Sequence, residues 1–327
     1  MHSIDDSAGE TPAPDQQEAT RAAVRAAIEA DGITMTAAAK QAGVAYGTFS
    51  SWMGGTYAGR TGRVAEMAQK WLDGRAARAA TRVALPPVPG FVATRSAEAF
   101  FGMLSHAQHM PDMVVIAGGA GVGKTTACEA FRGRSPSVWI MTAEPCHSTV
   151  RMVLDALADA LEVTERYSAQ KVSAAIVRKL IGTGGLLIVD EAQHLSSQAL
   201  DQLRTVHDKA KIGVALVGNE TVFTRFEGVH RTAQYAQLFR RIGAKLTRPA
   251  PWKADVEALL DAWKIEGAAE RKLLQVIARK PGALGGMSKT LRMAFGLAAA
   301  SGLARPGEEH LLGAWSQLGN PAPDGVA

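Results

Sequence analysis

Cysteine is scarce in this chain: Cys128 and Cys146 are the only two in 327 residues. Neither stands at a metal-ligand spacing, which argues against a disulfide framework and a zinc site and makes a reducing cytoplasm the expected setting. His106, His109, His147, His194, His207 and His230 are scattered without metal spacing too. Long apolar runs are missing. None approaches the roughly 20 residues a membrane span needs, so no membrane association is expected. The opening MHSIDDSAGETPAPDQQE is acidic and polar and has no apolar h-region, which speaks against a secretory signal. Residues 1–17 are expected to be a disordered leader. A strong charge imbalance is also lacking. A formal charge of +5 and a pI near 9.3 admit nucleic acid as a partner without demanding it. What is present is 47% apolar residues at near-neutral mean hydropathy, the profile of a soluble globular protein long enough for two or three domains.

Composition changes along the chain. Residues 18–74 hold short, Ala-rich helical segments. Residues 75–95 turn basic and then proline-rich. Pro86, Pro87 and Pro89 cannot sit inside a helix, so this stretch reads as an interdomain linker. Apolar runs at Met113–Ala117, Val138–Met141, Leu186–Val189, Gly213–Val217 and Ala244–Thr247 then alternate with helical segments. That pattern predicts an α/β fold, a five-stranded parallel sheet between helices, over residues 96–250. After Pro249 and Pro251 the pattern is helical, giving a small all-α domain at 251–318 and a tail at 319–327.

Gly118, Gly119, Ala120, Gly121, Val122, Gly123, Lys124 and Thr125 match G-x-x-x-x-G-K-[ST], after a buried-looking strand and before an amphipathic helix. Glycines let such a loop wrap phosphates with its backbone N–H groups, and the helix points its N-terminus, here Thr125 and Thr126, at the anion. Lys124 is expected to reach the β- and γ-phosphates of ATP, and the Thr125 hydroxyl to ligate Mg²⁺. Leu186–Glu191 (LLIVDE) places two carboxylates at the carboxyl end of a central strand, where α/β sheets bind ligands. Asp190 would hold the metal and Glu191 would act as general base, although two acids at a helix start also suit the helix dipole.

Asn219 closes the next strand. It can orient the lytic water or cap the following helix, and the two roles are compatible. Arg240 and Arg241 can act in trans on a neighbour's γ-phosphate or stand as a solvated helix end. This order of motifs, with a helical segment behind it, resembles the AAA+ ATPases from roughly Ser96 to Leu318. The resemblance implies a helical lid with a basic sensor residue. Ser288 falls where arginine is usual, leaving Lys289 or Arg292 for that role.

Near the amino terminus, Met35–Trp52 has helix-turn-helix spacing. Ala39 is small at the crossing, Gly43 supplies the turn, and Phe49 and Trp52 face inward. The second helix would offer Tyr46, Thr48, Ser50 and Ser51 to DNA, with Arg60 and Arg63 following and Lys209, Lys211 and Arg151 as further candidates. A protein-interaction module would reuse the same packing. Gly32–Leu72, together with ALVGNETVF and AQLFRRIG further on, resembles the Mu B family of phage transposition proteins. That resemblance implies ATP-dependent, largely non-specific binding to double-stranded DNA and homo-oligomerisation into filaments. It also implies delivery of that DNA to a DDE transposase in the cytoplasm of a bacterial host. A transposition helper of the IstB or TnsC type and an ATP-dependent transcriptional regulator are the alternatives. A metabolic NTP-using enzyme is disfavoured because no second catalytic constellation appears.

Overall fold

The computed structural model describes residues 14–84, 88–221 and 241–321, so Arg240 lies outside the described residues. The chain divides into two compact units, residues 1–87 and 88–327. The division falls inside the stretch read as a linker. The first ten residues of that stretch, however, are helical.

The first unit contains α1 (Pro14–Asp31), α2 (Met35–Gln41), α3 (Tyr46–Met53) and α4 (Thr61–Ala84). α4 runs on past Leu72 because Arg75 to Ala84 is rich in alanine and arginine, both good helix formers, and meets no proline until Pro86. Arg75 pairs with Asp31 at 2.6 Å, which ties this extension to the end of α1. Thr34 caps α2 by accepting the N–H of Ala37. Gly43 turns the chain in the left-handed region, at φ +71°. Phe49 and Trp52 of α3 are then fully buried against Val24, Ala38, Ala39 and Ala68. Each contributes on the order of 2–3 kcal/mol by burial.

In the second unit, β1 (Met113–Gly118), β2 (Val138–Thr142), β3 (Leu186–Asp190), β4 (Gly213–Gly218) and β5 (Ile242–Arg248) form one parallel sheet in the order β2-β3-β4-β1-β5. Alternation along the strands assigns each residue to one of two cores. Met113, Val115, Leu187 and Val189 pack under α7 (Val150–Ala160), α8 (Ala169–Leu180) and α9 (Ser197–Ala210). Val114, Ile116, Ile188 and Val217 pack under α5 (Arg95–His109) and α6 (Lys124–Arg132). The central strands are buried on both faces, and their sequences are accordingly continuous apolar runs.

Four helices follow: α10 (Lys253–Ala262), α11 (Ala268–Ile277), α12 (Ala283–Ala300) and α13 (Glu308–Gln317). The fully buried Asp255 joins them to the sheet domain. Its carboxylate accepts the Ser96 N–H (2.9 Å), the Ser96 hydroxyl (2.5 Å) and the Trp252 N–H (2.8 Å). A buried carboxylate with three donors is satisfied, and it fixes where the lid begins. Arg95 and Arg248 both stack on the Trp252 ring at the same junction, 4.3 and 3.3 Å from its centroid. No helix among the described residues is long and apolar enough to cross a membrane.

Candidate nucleotide site

β1 delivers the chain to the glycine loop, and α6 starts at Lys124 directly behind it. Gly121 and Gly123 take φ of +78° and +93°, a region that L side chains rarely adopt. Gly121 has a second reason to be glycine. A Cβ there would lie 1.8 Å from the Gly282 carbonyl oxygen of the lid, and the Gly121 carbonyl accepts the Gly285 N–H at 3.1 Å. The loop is therefore shaped by the lid as well as for phosphate.

Lys124 Nζ donates to the carbonyls of Gly118 (2.8 Å) and Gly119 (2.9 Å), which holds the ammonium over the loop. Burial lowers its pKa below the ordinary lysine value, and the charges of Asp190 and Glu191 oppose that shift. The Thr125 hydroxyl donates to Asp190 Oδ2 at 2.6 Å, and Asp190 is 2% exposed. A hydroxyl and a carboxylate side by side are the hard oxygen ligands that Mg²⁺ prefers, so the pair fits that ion.

Asp190 Oδ1 accepts the Glu191 N–H at 2.9 Å, and Glu191 itself sits in the left-handed region at φ +54°. For a residue with a Cβ this conformation costs on the order of 1–3 kcal/mol and recurs at functional sites. It turns the chain away from the strand direction, and Glu191 is left half-buried in the lining of the cleft. Because β4 lies between β1 and β3, Asn219 at its end stands between the glycine loop and the two acids. Its side-chain oxygen accepts both the N–H (3.0 Å) and the hydroxyl (2.5 Å) of Thr221, and the segment it is expected to cap continues into residues 222–240, outside the described residues.

The cleft has a volume of about 410 Å³, within the range of small-molecule sites. Ala120 to Thr126 and Glu191 form its polar floor, and Phe91, Leu259, Trp263 and Leu284 form an apolar wall. That wall escaped sequence reasoning, because it is assembled from the end of the linker and from the lid. A larger opening, about 1270 Å³, lies between α1 and α4 in the first unit. Alanines of the two helices share its lining with polar residues, and Arg75 there is already paired with Asp31.

On α12, Gly285, Ser288 and Arg292 line the cleft, spaced i, i+3 and i+7 along one helix face. Lys289 lies about 100° round the helix from Ser288. It is exposed and outside the cleft lining. Of the two basic sensor candidates, only Arg292 is brought to the site.

Arg241 immediately precedes β5, whose first residue, Ile242, pairs with Met113 at the amino end of the sheet, whereas Gly118 pairs with Arg248 at the other end. Five steps of strand separate the two ends by about 16 Å. Arg241 is therefore remote from its own chain's cleft. Its guanidinium pairs with Asp208 at 2.8 Å, and Asp208 also holds Arg204 at 2.8 Å.

The DNA-contact candidates are spread more widely. Tyr46, Arg60 and Arg63 are exposed, while Thr48, Ser50 and Ser51 are half-buried on α3. Lys209 and Lys211 are exposed at the end of α9. Arg151 is committed elsewhere: it pairs with Asp155 at 2.7 Å and donates to the carbonyls of Arg166 and Tyr167. It braces the α7–α8 connection, a task that its spacing did not reveal. Glu144, Cys146 and His147 cluster on an exposed turn after β2. The Cys146 thiol donates to Glu144, which raises its pKa, and the His147 ring accepts the Glu144 N–H at 3.0 Å. Internal hydrogen bonds account for this grouping.

Residues 240–318 match the family described as Mu B transposition protein, C terminal, and residues 108–226 match the AAA domain family. The chain is 36% identical to the ATP-dependent target DNA activator B of Escherichia phage Mu, over 91% of this chain and 94% of that protein. It is 34% identical to the Mu-like prophage FluMu DNA transposition protein B of Haemophilus influenzae, covering 79% and 90% of the two chains. The structure of the Aeropyrum pernix ORC2 protein in its ADPNP-ADP complexes is similar at a TM-score of 0.52 and 20% identity. That likeness covers 70% of this chain and 69% of the other, and it concerns the fold alone. By sequence and by its AAA+ core, this chain belongs to the Mu B transposition protein family.

Proposed function

We propose that this protein is an ATPase that binds duplex DNA with little sequence preference, oligomerises on it, and presents it to a DDE transposase, with hydrolysis driving release. The observation that carries the reading is the Thr125–Asp190 contact at 2.6 Å, with Glu191 and Asn219 at neighbouring strand ends. It joins a family whose relative in phage Mu is called an ATP-dependent target DNA activator.

In this mechanism the loop amides and Lys124 hold the triphosphate, and Thr125 and Asp190 hold magnesium. The metal would neutralise charge between the β- and γ-phosphates. Glu191 accepts a proton from the attacking water. Arg292 reaches the cleft from the lid, so the lid senses the phosphates. Arg240 or Arg241 meets the γ-phosphate of a neighbouring subunit, for which the distance between Arg241 and its own cleft is the supporting fact. ATP thus strengthens the subunit interface, and linked subunits add many weak contacts along one duplex: hydroxyls from Tyr46, Thr48, Ser50 and Ser51, and charges from Arg60, Arg63, Lys209 and Lys211. DNA and ATP promote each other's binding, as linkage requires. The test is electron microscopy of the protein on random-sequence duplex. Helical assemblies with ATP that are absent with ADP support the reading, and discrete rings or isolated dimers contradict it.

A further inference from the structure

We infer that Gln193 is a positioning residue for ATP hydrolysis: it holds the Glu191 carboxylate and ties it to the end of β4 at Asn219. The inference rests on Glu191 being the general base. Gln193 lies in the single 3₁₀ turn, Ala192–His194, that follows β3. Its side-chain Nε2 donates to Glu191 Oε2, and its Oε1 accepts the Asn219 backbone N–H at 3.2 Å. A carboxylate can only accept and a backbone N–H can only donate, so the amide has one orientation that satisfies both neighbours. Glutamine is the residue type this bridge requires. Glutamate would set a second carboxylate against Glu191, and a hydrocarbon of the same length would bond neither end.

The bridge completes a hydrogen-bonded path from α6 through β3 and the 3₁₀ turn to the end of β4: Thr125 of α6 to Asp190, Asp190 to the Glu191 N–H, the Glu191 carboxylate to Gln193, and Gln193 to Asn219 beyond β4. Glu191 needs such a brace. Its left-handed backbone turns the side chain off the strand axis, and an unbraced carboxylate on three torsions samples several rotamers. Misplacing a catalytic group by about 1 Å costs up to about a hundredfold in rate. Since β4 ends beside the glycine loop, a shift at Asn219 passes through Gln193 to the base.

The test is a double-mutant cycle on the full-length protein, reading single-turnover ATP hydrolysis on DNA and, separately, nucleotide affinity. Gln193→Met is expected to slow hydrolysis by about ten- to a hundredfold while the Kd for ATP changes less than about twofold. Gln193→Glu should be at least as slow. Glu191→Gln should lose about a hundredfold or more. Adding Gln193→Met to Glu191→Gln should then cost little further, because Gln193 acts through Glu191. The inference is overturned if Gln193→Met hydrolyses at the unmutated rate while Glu191→Gln is inactive. It is also overturned if the double variant loses the same extra factor as the single one. Full hydrolysis by Glu191→Gln would instead overturn the general-base reading itself.

Discussion

In the nucleotide cleft, the groups that meet a phosphate belong largely to the backbone, and they sit where strand, loop and helix must place them. The Gly118–Thr125 loop follows β1 because a buried strand has to end before a helix can begin, and Gly121 and Gly123 supply conformations that other residues resist. On α3 the situation is reversed. The helix is fixed by what it buries, Phe49 and Trp52, and the groups proposed to meet DNA are side chains left exposed or half-buried, Tyr46, Thr48, Ser50 and Ser51. One region has its chemistry built into its fold. In the other, the proposed chemistry rests on side chains that the packing of one short helix leaves uncovered or partly covered. Substitutions should therefore strike the cleft all-or-none and the α3 surface by degrees.

The largest effect is expected for Lys124→Ala. Removing the ammonium held over the loop carbonyls should abolish ATP-dependent DNA binding while leaving the fold intact, as gel-shift assays with ATP and circular dichroism would check. Retained ATP-dependent binding would erase the contrast between the two regions. Next comes Gly121→Ala, whose new methyl would meet the Gly282 carbonyl at 1.8 Å and whose φ of +78° resists a side chain. We expect nucleotide affinity to fall by at least about tenfold, with a lowered Tm for the second unit.

Trp52→Ala sharpens the comparison from the other side. It empties a fully buried site and should cost about 3–5 kcal/mol in the stability of the first unit. ATP binding by the second unit should persist, measurable with a fluorescent nucleotide in the same sample. At the DNA surface itself, Arg63→Ala should weaken binding to all duplexes alike and flatten the dependence of log Kd on log salt by about one unit. A loss confined to one sequence would favour a specific regulator instead.

The smallest expected effect concerns pH. Burial lowers the Lys124 pKa in the free protein, so the ammonium is lost at a lower pH than an ordinary lysine would lose it. At pH values above that lowered pKa, ATP binding takes up a proton. Affinity is expected to fall as pH rises through that lowered value, and to be flat below it. A nucleotide titration that stayed flat well into the ordinary lysine range would contradict this.

Much of the cleft was legible in the sequence, because its parts are contiguous and obey fixed spacing. The strand at Met113, the loop, and the acids after LLIV each fall where their elements require. Contributions from distant segments were hidden. Phe91 at the end of the linker and Trp263 and Leu284 in the lid meet only through tertiary packing, and no local pattern announces it. Gln193 stood two residues from Glu191 in plain view, but its role depends on a left-handed turn that the letters do not show. The helical face of α12 likewise separates Arg292 from Lys289, a choice that needed the register of the helix against the loop. The basic stretch after Leu72 was read by its prolines, although ten alanine- and arginine-rich residues precede them and continue α4.

In the proposed function, hydrolysis at the cleft controls how long DNA is held. The most direct measurement is the dissociation rate from random-sequence duplex in ATP, comparing the unmutated protein with Glu191→Gln in stopped-flow or single-molecule experiments. Long-lived complexes of Glu191→Gln beside fast release of the unmutated protein are the predicted result. Equally fast release by both would contradict it.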